Sequence, residues 1–213
     1  MEYNKYFGII LMNYKGPKVR LSRRLGIAIT PKASKVMERR PNPPGQHGGN
    51  TRRSKLSEYK RQLIEKQRLR CQYNVHERQM VNYYRKAAAK ATNTGETMVQ
   101  LLETRLDAVV LRAGFAPTIY AARQFVSHAH VEVNGKKVNI PSYSVKPGDV
   151  VSVCEKAKQL QIVKDSMERR QPAPAYLSVS EKDLTCTLVT LPQRDEVPII
   201  CDVSLVVEFY ARQ

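Results

Sequence analysis

RLDAVVLRAGFAPTIYAARQFVSHAHVEVNGKKVNIPSYSVKPGDVVSV, residues 105–153, changes period part-way along, and that change decides the fold. With the preceding ETMVQLLET, its first part places Met98, Leu101, Leu102, Leu106, Val109, Val110 and Ala113 at spacings of three and four. That is helical spacing, so one helix is predicted over residues 96–114, with Gly114 as its left-handed cap. TIYAARQFVSHA reads as a second helix that the Thr118 hydroxyl can cap. From Val131 the period is two. Val131 and Val133 alternate around Glu132, Asn134-Gly135 supplies a two-residue turn and KKV returns, the strongest local hairpin signal in the chain. KPGD at 146–149 is a second turn, and VVSV follows as a strand. Two helices and a short antiparallel sheet make this region a small α+β module.

Beyond the module, residues 157–170 read as helical and 175–191 as two strands around a polar turn. DVSLVVEFYAR reads as either helix or strand, and its pattern does not choose. Upstream, KGPKVRLSRR (15–24) reads as a basic arm, and TPKASKVMERR as a short helix opened by Thr30 with Pro31 at its first position. Residues 54–73 form a predicted helix whose apolar arc is Leu56, Tyr59, Leu63, Ile64 and Cys71, flanked by Lys55 and Lys66 on one side and Arg61 and Arg68 on the other. NVHERQMVNYYRKAAAK is predicted to open at Asn74 with Glu77 closing a capping box. Its Tyr83 and Tyr84 suit base stacking, but their helical spacing from Met80 and Ala87 favours the core.

Charge separates the two halves. Residues 1–90 hold 22 Lys and Arg against 5 Asp and Glu, while residues 91–213 hold 14 against 14, so the whole net charge of +17 lies in the first half. Such an excess self-repels unless a polyanion neutralises it, which points to nucleic acid well ahead of an acidic membrane surface. Within it, RPNPPGQHGGNTRR (40–53) has three prolines, three glycines and three arginines, no acid and no aliphatic side chain. It has nothing to bury, so either it is a disordered linker or a partner orders it. The longest apolar run, FGIILM at 7–12, is too short to span a bilayer or serve as a usual signal core, and Met12 is a candidate start. Cys71, Cys154, Cys186 and Cys201 form no Cys-x-x-Cys pair, which favours buried thiols over a sequence-local zinc site.

The stretch from R-L-D through the A-R-Q helix, V-x-V-N-G and P-x-x-x-V-x-x-G-D resembles the small RNA-binding module named after ribosomal protein S-four. KGPKVRLSRRLG, ERRPNPPGQHG, SEYKRQLIEKQRLR, ERQM and the closing VVEFYAR are similar to the bacterial and organellar members of that ribosomal family, so the resemblance spans nearly everything after Met12. It implies a primary small-subunit rRNA-binding protein that nucleates assembly of the subunit body, lies near the point where mRNA enters and bears on translational accuracy. It also implies 16S-type rRNA, the neighbouring proteins S-five and S-three, and mRNA as partners, in the cytoplasm or an organelle stroma or matrix. No catalysis, cofactor, metal or membrane is expected. The expected organisation is α+β: a basic, mainly helical region over 1–95, an α+β region over 96–195 with the module at 103–166, and a segment over 196–213 that packs back on the helical domain. Two positions depart from the family pattern: Ile119 stands where an arginine is usual, and Ala129 replaces the glycine of S-H-G-H. If that turn needs positive φ, alanine costs about a kilocalorie per mole or more.

Arginine offers phosphates a rigid fork and lysine a mobile charge, so the expected RNA contacts in the first half are Lys18, Arg20, Arg23, Arg24, Arg39, Arg40, Arg52, Arg53, Lys55, Arg61, Lys66 and Arg68, with Gln46 and His47 between them. In the module they are Arg105, Arg112, Thr118, Arg123, Gln124, His128 and the Asn134-Gly135-Lys136-Lys137 turn, with Arg123 foremost. Structural alternatives stand beside them: Arg105 pairs with Asp107 or Glu103, Arg112 is solvated at a helix end, and Asn134-Gly135 only makes the turn. His128 and His130 have no recognisable nucleophile motif beside them, and His-x-His alone is a weak metal signal. Two rivals remain: a stand-alone stress or assembly factor, for which the basic half is superfluous, and an accessory part of an RNA-modifying enzyme or a synthetase. For the second, about ninety residues before the module and sixty after leave too little for a catalytic domain of usual size.

Overall fold

The computed structural model describes residues 14, 16–46, 48–49, 57–90, 93–169 and 172–212. The chain divides into two compact units, residues 1–95 with 199–213, and residues 96–198. Its fold is α+β, with a helical first unit and one antiparallel sheet in the second.

In the first unit the stretch expected as a basic arm is a helix, α1 (Lys18–Leu25), ended by Gly26 at φ 70°. Pro17 precedes it, and only glycine adopts that left-handed cap without strain. α2 (Pro31–Arg39) opens as read: the Thr30 hydroxyl accepts from the Ala33 N–H at 3.3 Å. α3 (Glu58–Gln72) is capped by Ser57. α4 (Glu77–Ala88) opens at His76, two residues later than expected. Gln79 Oε1 accepts from the His76 N–H, Asn74 turns the chain at φ 48°, and Glu77 is used elsewhere. The closing segment is the helix α10 (Val203–Ala211), capped by Asp202 and packed along α3.

Of the arc expected of it, α3 fully buries only Cys71 among the described residues. Its buried residues are Gln62, Lys66, Leu69 and Cys71; Tyr59 is 61% exposed, Leu63 and Ile64 are half-buried, and Leu56 lies outside the described residues. The reason is a set of polar partners from distant chain. Gln62 donates to Glu208 on α10 at 2.9 Å, and Lys66 Nζ lies 2.9 Å from Glu77 and 4.6 Å from the Phe209 ring centre. Tyr210 donates to the same Glu77 carboxylate at 2.8 Å and stacks on Tyr84 with ring centres 5.3 Å apart. Leu25, Ile27 and Cys71 form a small apolar cluster between α1 and α3.

In the second unit the single helix expected over 96–114 is two, α5 (Thr94–Glu103) and α6 (Leu106–Arg112). Arg105 between them is extended, at φ −67° and ψ 142°. The backbone groups freed by the break are met by the loop after the hairpin: Leu106 N–H donates to Tyr143, Asp107 N–H to Pro141, and Val145 N–H to Thr104. Helical periodicity continues through the break because both pieces bury the same kind of face. Gly114 follows α6 at φ 84°, as a left-handed cap requires. α7 (Ile119–Ser127) packs on α6, and Thr118 Oγ1 caps it by accepting from the Ala121 N–H at 3.2 Å.

Then come β1 (Val131–Val133), β2 (Lys136–Lys137) and β3 (Val150–Val153), the short helices α8 (Glu155–Lys158) and α9 (Gln161–Glu168), and β4 (Leu177–Ser180) and β5 (Thr185–Leu188). The sheet is antiparallel throughout, in the order β2-β1-β3-β5-β4. Asn134 and Gly135, at φ 50° and 74°, make the predicted tight turn. Alternation sets the register: Val131 and Val133 are buried opposite Val153 and Val151.

Candidate nucleic-acid interface

The first unit carries 23 Lys and Arg against 7 Asp and Glu, the second 13 against 12. Arg20 and Arg24 on α1, Arg39 at the end of α2, Arg40, Gln46, and Arg61 on α3 are exposed. Exposed cations with no motif around them add to this set, among them Lys32, Lys35, Lys60, Arg78, Arg85 and Lys86. Helical period was the available signal for these, since each falls off the buried face of its helix. His47, Arg52, Arg53 and Lys55 lie outside the described residues.

Four more of the expected contact residues in the first unit have protein partners. Lys66 is 3% exposed and is taken up by Glu77, and burial pushes its ammonium below the usual lysine range against the pull of that carboxylate. It therefore packs the unit and presents no charge to solvent, contrary to its expected place on a basic flank. Arg68 donates to the Leu25 carbonyl at 2.8 Å and to Glu65 at 2.6 Å, which ties α3 to the end of α1. Arg23 donates from Nε to the carbonyls of Arg40 and Asn42 and from Nη2 to Asn42 again, at 2.7–3.1 Å. Lys18 donates to the Tyr14 carbonyl.

In the second unit Arg105 takes its structural alternative. It is 1% exposed and meets Asp107 through two parallel bonds, Nε to Oδ1 at 2.9 Å and Nη2 to Oδ2 at 2.6 Å. A guanidinium so enclosed is withdrawn from solvent. Arg112 is likewise not simply solvated: it pairs with buried Glu103, which also accepts from the Tyr176 hydroxyl at 2.6 Å. Burial and that carboxylate push the Tyr176 phenol far above its ordinary value. Sequence reading named Glu103 only as a candidate partner of Arg105 and missed Tyr176, which is 73 residues from it.

Arg123 is half-buried on α7 and its charge acts on Asp107, while Gln124, His128 and the Asn134-Gly135-Lys136-Lys137 turn are exposed. His128 precedes β1 and this turn follows it. Asn134 also has a structural task. Its side chain donates to Asp149 Oδ1 and accepts from the Val150 N–H, both at 2.9 Å. Lys137 faces Glu132 across the hairpin, and two lysines on an edge strand also discourage pairing with another chain. Ala129 lies in the left-handed region, at φ 57°, so the turn does need the positive φ that its family glycine supplies freely.

The described cysteines are free thiols; burial raises Cys71 and pushes Cys186 up to about 12, which leaves both protonated and unreactive near neutrality. Among the described residues no helix is long and apolar enough to cross a membrane.

Comparison with known proteins agrees with this layout. Residues 13–103 match the ribosomal protein S4/S9 N-terminal domain and residues 104–151 match the S4 domain. A small ribosomal subunit protein uS4 from Thermobifida fusca is 51% identical over 204 residues, covering 94% of this chain and 100% of its own length. This chain belongs to the ribosomal protein S4 family. The uS4 protein of Streptomyces avermitilis is 52% identical over 206 residues, and that of Chlorobium phaeovibrioides 47% over 204, each covering 95% of this chain and 100% of the relative. Family membership makes the chain a structural, RNA-binding constituent of the ribosome and not an enzyme. The boundary between the two matched domains falls at residues 103 and 104, where α5 ends and the break before α6 begins.

Proposed function

We propose that this chain is a primary binder of 16S-type rRNA in the small ribosomal subunit, where it nucleates assembly of the subunit body. It stands beside the proteins S-five and S-three, near the point where mRNA enters, and contributes to translational accuracy. The observation that carries this reading is the confinement of the positive charge to one unit, +16 in the first against +1 in the second. The first unit then neutralises phosphates over a broad surface, with Arg20, Arg24, Arg39, Arg40 and Arg61 as clamps. The module adds a shaped contact through Arg123, Gln124, His128 and the Asn134–Lys137 turn. Phosphate contacts position an RNA, and fixed elements recognise its shape and junctions. The ribosome in question is that of a bacterial cytoplasm or of an organelle.

If on the order of eight phosphates are neutralised, log affinity for small-subunit rRNA falls against log salt with a slope of about −6. The protein also stays with small subunits through a high-salt wash. A slope near −2, or release of the protein in the wash, would speak for a stand-alone binding factor.

A further inference from the structure

Residues 40–46 contain Pro41, Pro43 and Pro44, which have no N–H to offer, so the carbonyls of this stretch cannot be met by an ordinary ladder of backbone bonds. Two of them, those of Arg40 and Asn42, are met by one side chain, the Arg23 guanidinium on α1. The turn beyond is tightly specified. Gly45 has φ 109°, the Gly48 N–H donates to the Gly45 carbonyl at 3.1 Å, and Gly48 is buried. A Cβ on Gly48 would stand 1.9 Å from the Pro43 carbonyl oxygen, a backbone atom that cannot give way cheaply. Arg23 is half-buried, while Arg20 and Arg24 on the same helix are exposed.

We propose that Arg23 is a positioning residue of the RNA interface: its guanidinium holds the 40–42 backbone against α1 and so fixes the path that residues 40–46 offer to rRNA. This rests on the rRNA-binding reading above. A planar fork spans two carbonyls; an ammonium keeps the charge but not that geometry. The proline-glycine stretch is then a shaped contact and not a linker.

The test uses the full chain and three variants: Arg23→Lys, Gly48→Ala and, as control, Arg169→Lys at an exposed arginine of the second unit that has no part in the proposed interface. Hydrogen exchange of the 40–49 segment is measured in the free protein. Affinity for small-subunit rRNA and for a random duplex RNA is measured at one salt concentration, and the salt slope is recorded. Arg23→Lys should lose exchange protection at 40–49 and weaken rRNA binding about tenfold, equivalent to ~1.4 kcal/mol. Duplex affinity and salt slope should not change, because no charge is lost. Gly48→Ala should repeat this result, and Arg169→Lys should bind as the parent does.

Full rRNA affinity in Arg23→Lys, with or without lost protection, overturns the proposal. So does an equal loss on both RNAs, which would mark a simple phosphate clamp. Retained protection in that variant overturns it as well. Where the parent protein still prefers rRNA to duplex, those results leave the rRNA-binding reading intact; a parent with no such preference fails that reading and the proposal together.

Discussion

The two units bury charge in different ways. In the second, Arg105 is paired with Asp107 two residues away, and Arg112 with Glu103 nine residues away, inside a core otherwise built from alternating or helically spaced apolar residues. In the first, α3 turns Gln62 and Lys66 inward, and their partners are Glu208, 146 residues off, and Glu77 on the next helix. A pair two residues apart leaves its trace in local sequence, whereas Lys66, paired with Glu77 on the next helix and covered by the Phe209 ring of α10, turns an apparent basic flank into an interior face. The difference teaches that a lysine in a charge-rich helix is assigned to solvent or core by whichever carboxylate the fold brings to it.

Variants can break this comparison at either end. The largest effect is expected from Asp107→Ala, which strands a guanidinium enclosed on all sides and should destabilise the second unit by about 4 kcal/mol. Urea unfolding followed by unit-resolved hydrogen exchange measures it, and protection in the first unit should persist. Next comes Glu77→Ala, at about 3 kcal/mol against the first unit, because Lys66 and the Tyr210 hydroxyl lose one shared acceptor. Lys66→Met combined with Glu77→Gln should recover to within about 1 kcal/mol of the parent, since apolar replacement of a buried pair is often neutral. Failure of that double variant to recover would show that the pair stabilises α3 beyond compensating for its own burial.

Smaller effects sharpen the module's side. Ala129→Gly relieves a left-handed alanine and should stabilise the second unit by about 0.5 kcal/mol, the strain relieved exceeding the entropy added to the unfolded chain. The smallest effect concerns pH. The Lys146 N–H and the Asn134 side chain hold the Asp149 carboxyl below its usual range. A carboxyl whose folded pKa is depressed contributes stability that is fully present above its unfolded value of about 3.9 and lost as pH falls through the lower folded value. The stability difference between the parent and Asp149→Asn should therefore shrink as pH is lowered from 5 toward 2. The side chain is exposed, so the change should be slight.

Several elements were legible because local chemistry dictates them. Thr30 and Thr118 mark helix starts that their hydroxyls do cap, Gly114 takes the left-handed conformation a helix end requires, and Asn134-Gly135 makes the two-residue turn. The break at Arg105 was not legible, since only the loop backbone at 141–145 explains it. Nor was the helical state of α10, whose pattern fitted a helix or a strand equally until its packing along α3 was seen. Of the expected contact residues, Arg20, Arg24, Arg39, Arg40 and Arg61 are on the surface, whereas Arg105 and Lys66 are in the interior.

By itself, the sequence determined the α+β module and the one-sided charge, because periodicity, turn chemistry and net charge are properties of near neighbours and of sums, and its motifs carried the resemblance to the family. Only the tertiary structure decided which cations face solvent. A guanidinium beside Asp107 and one beside the Arg40 and Asn42 carbonyls have the same chemistry as one left in water. Burial and partner, which arise when distant segments meet, separate them into a core ion pair, a clasp on the proline-rich turn and a surface charge.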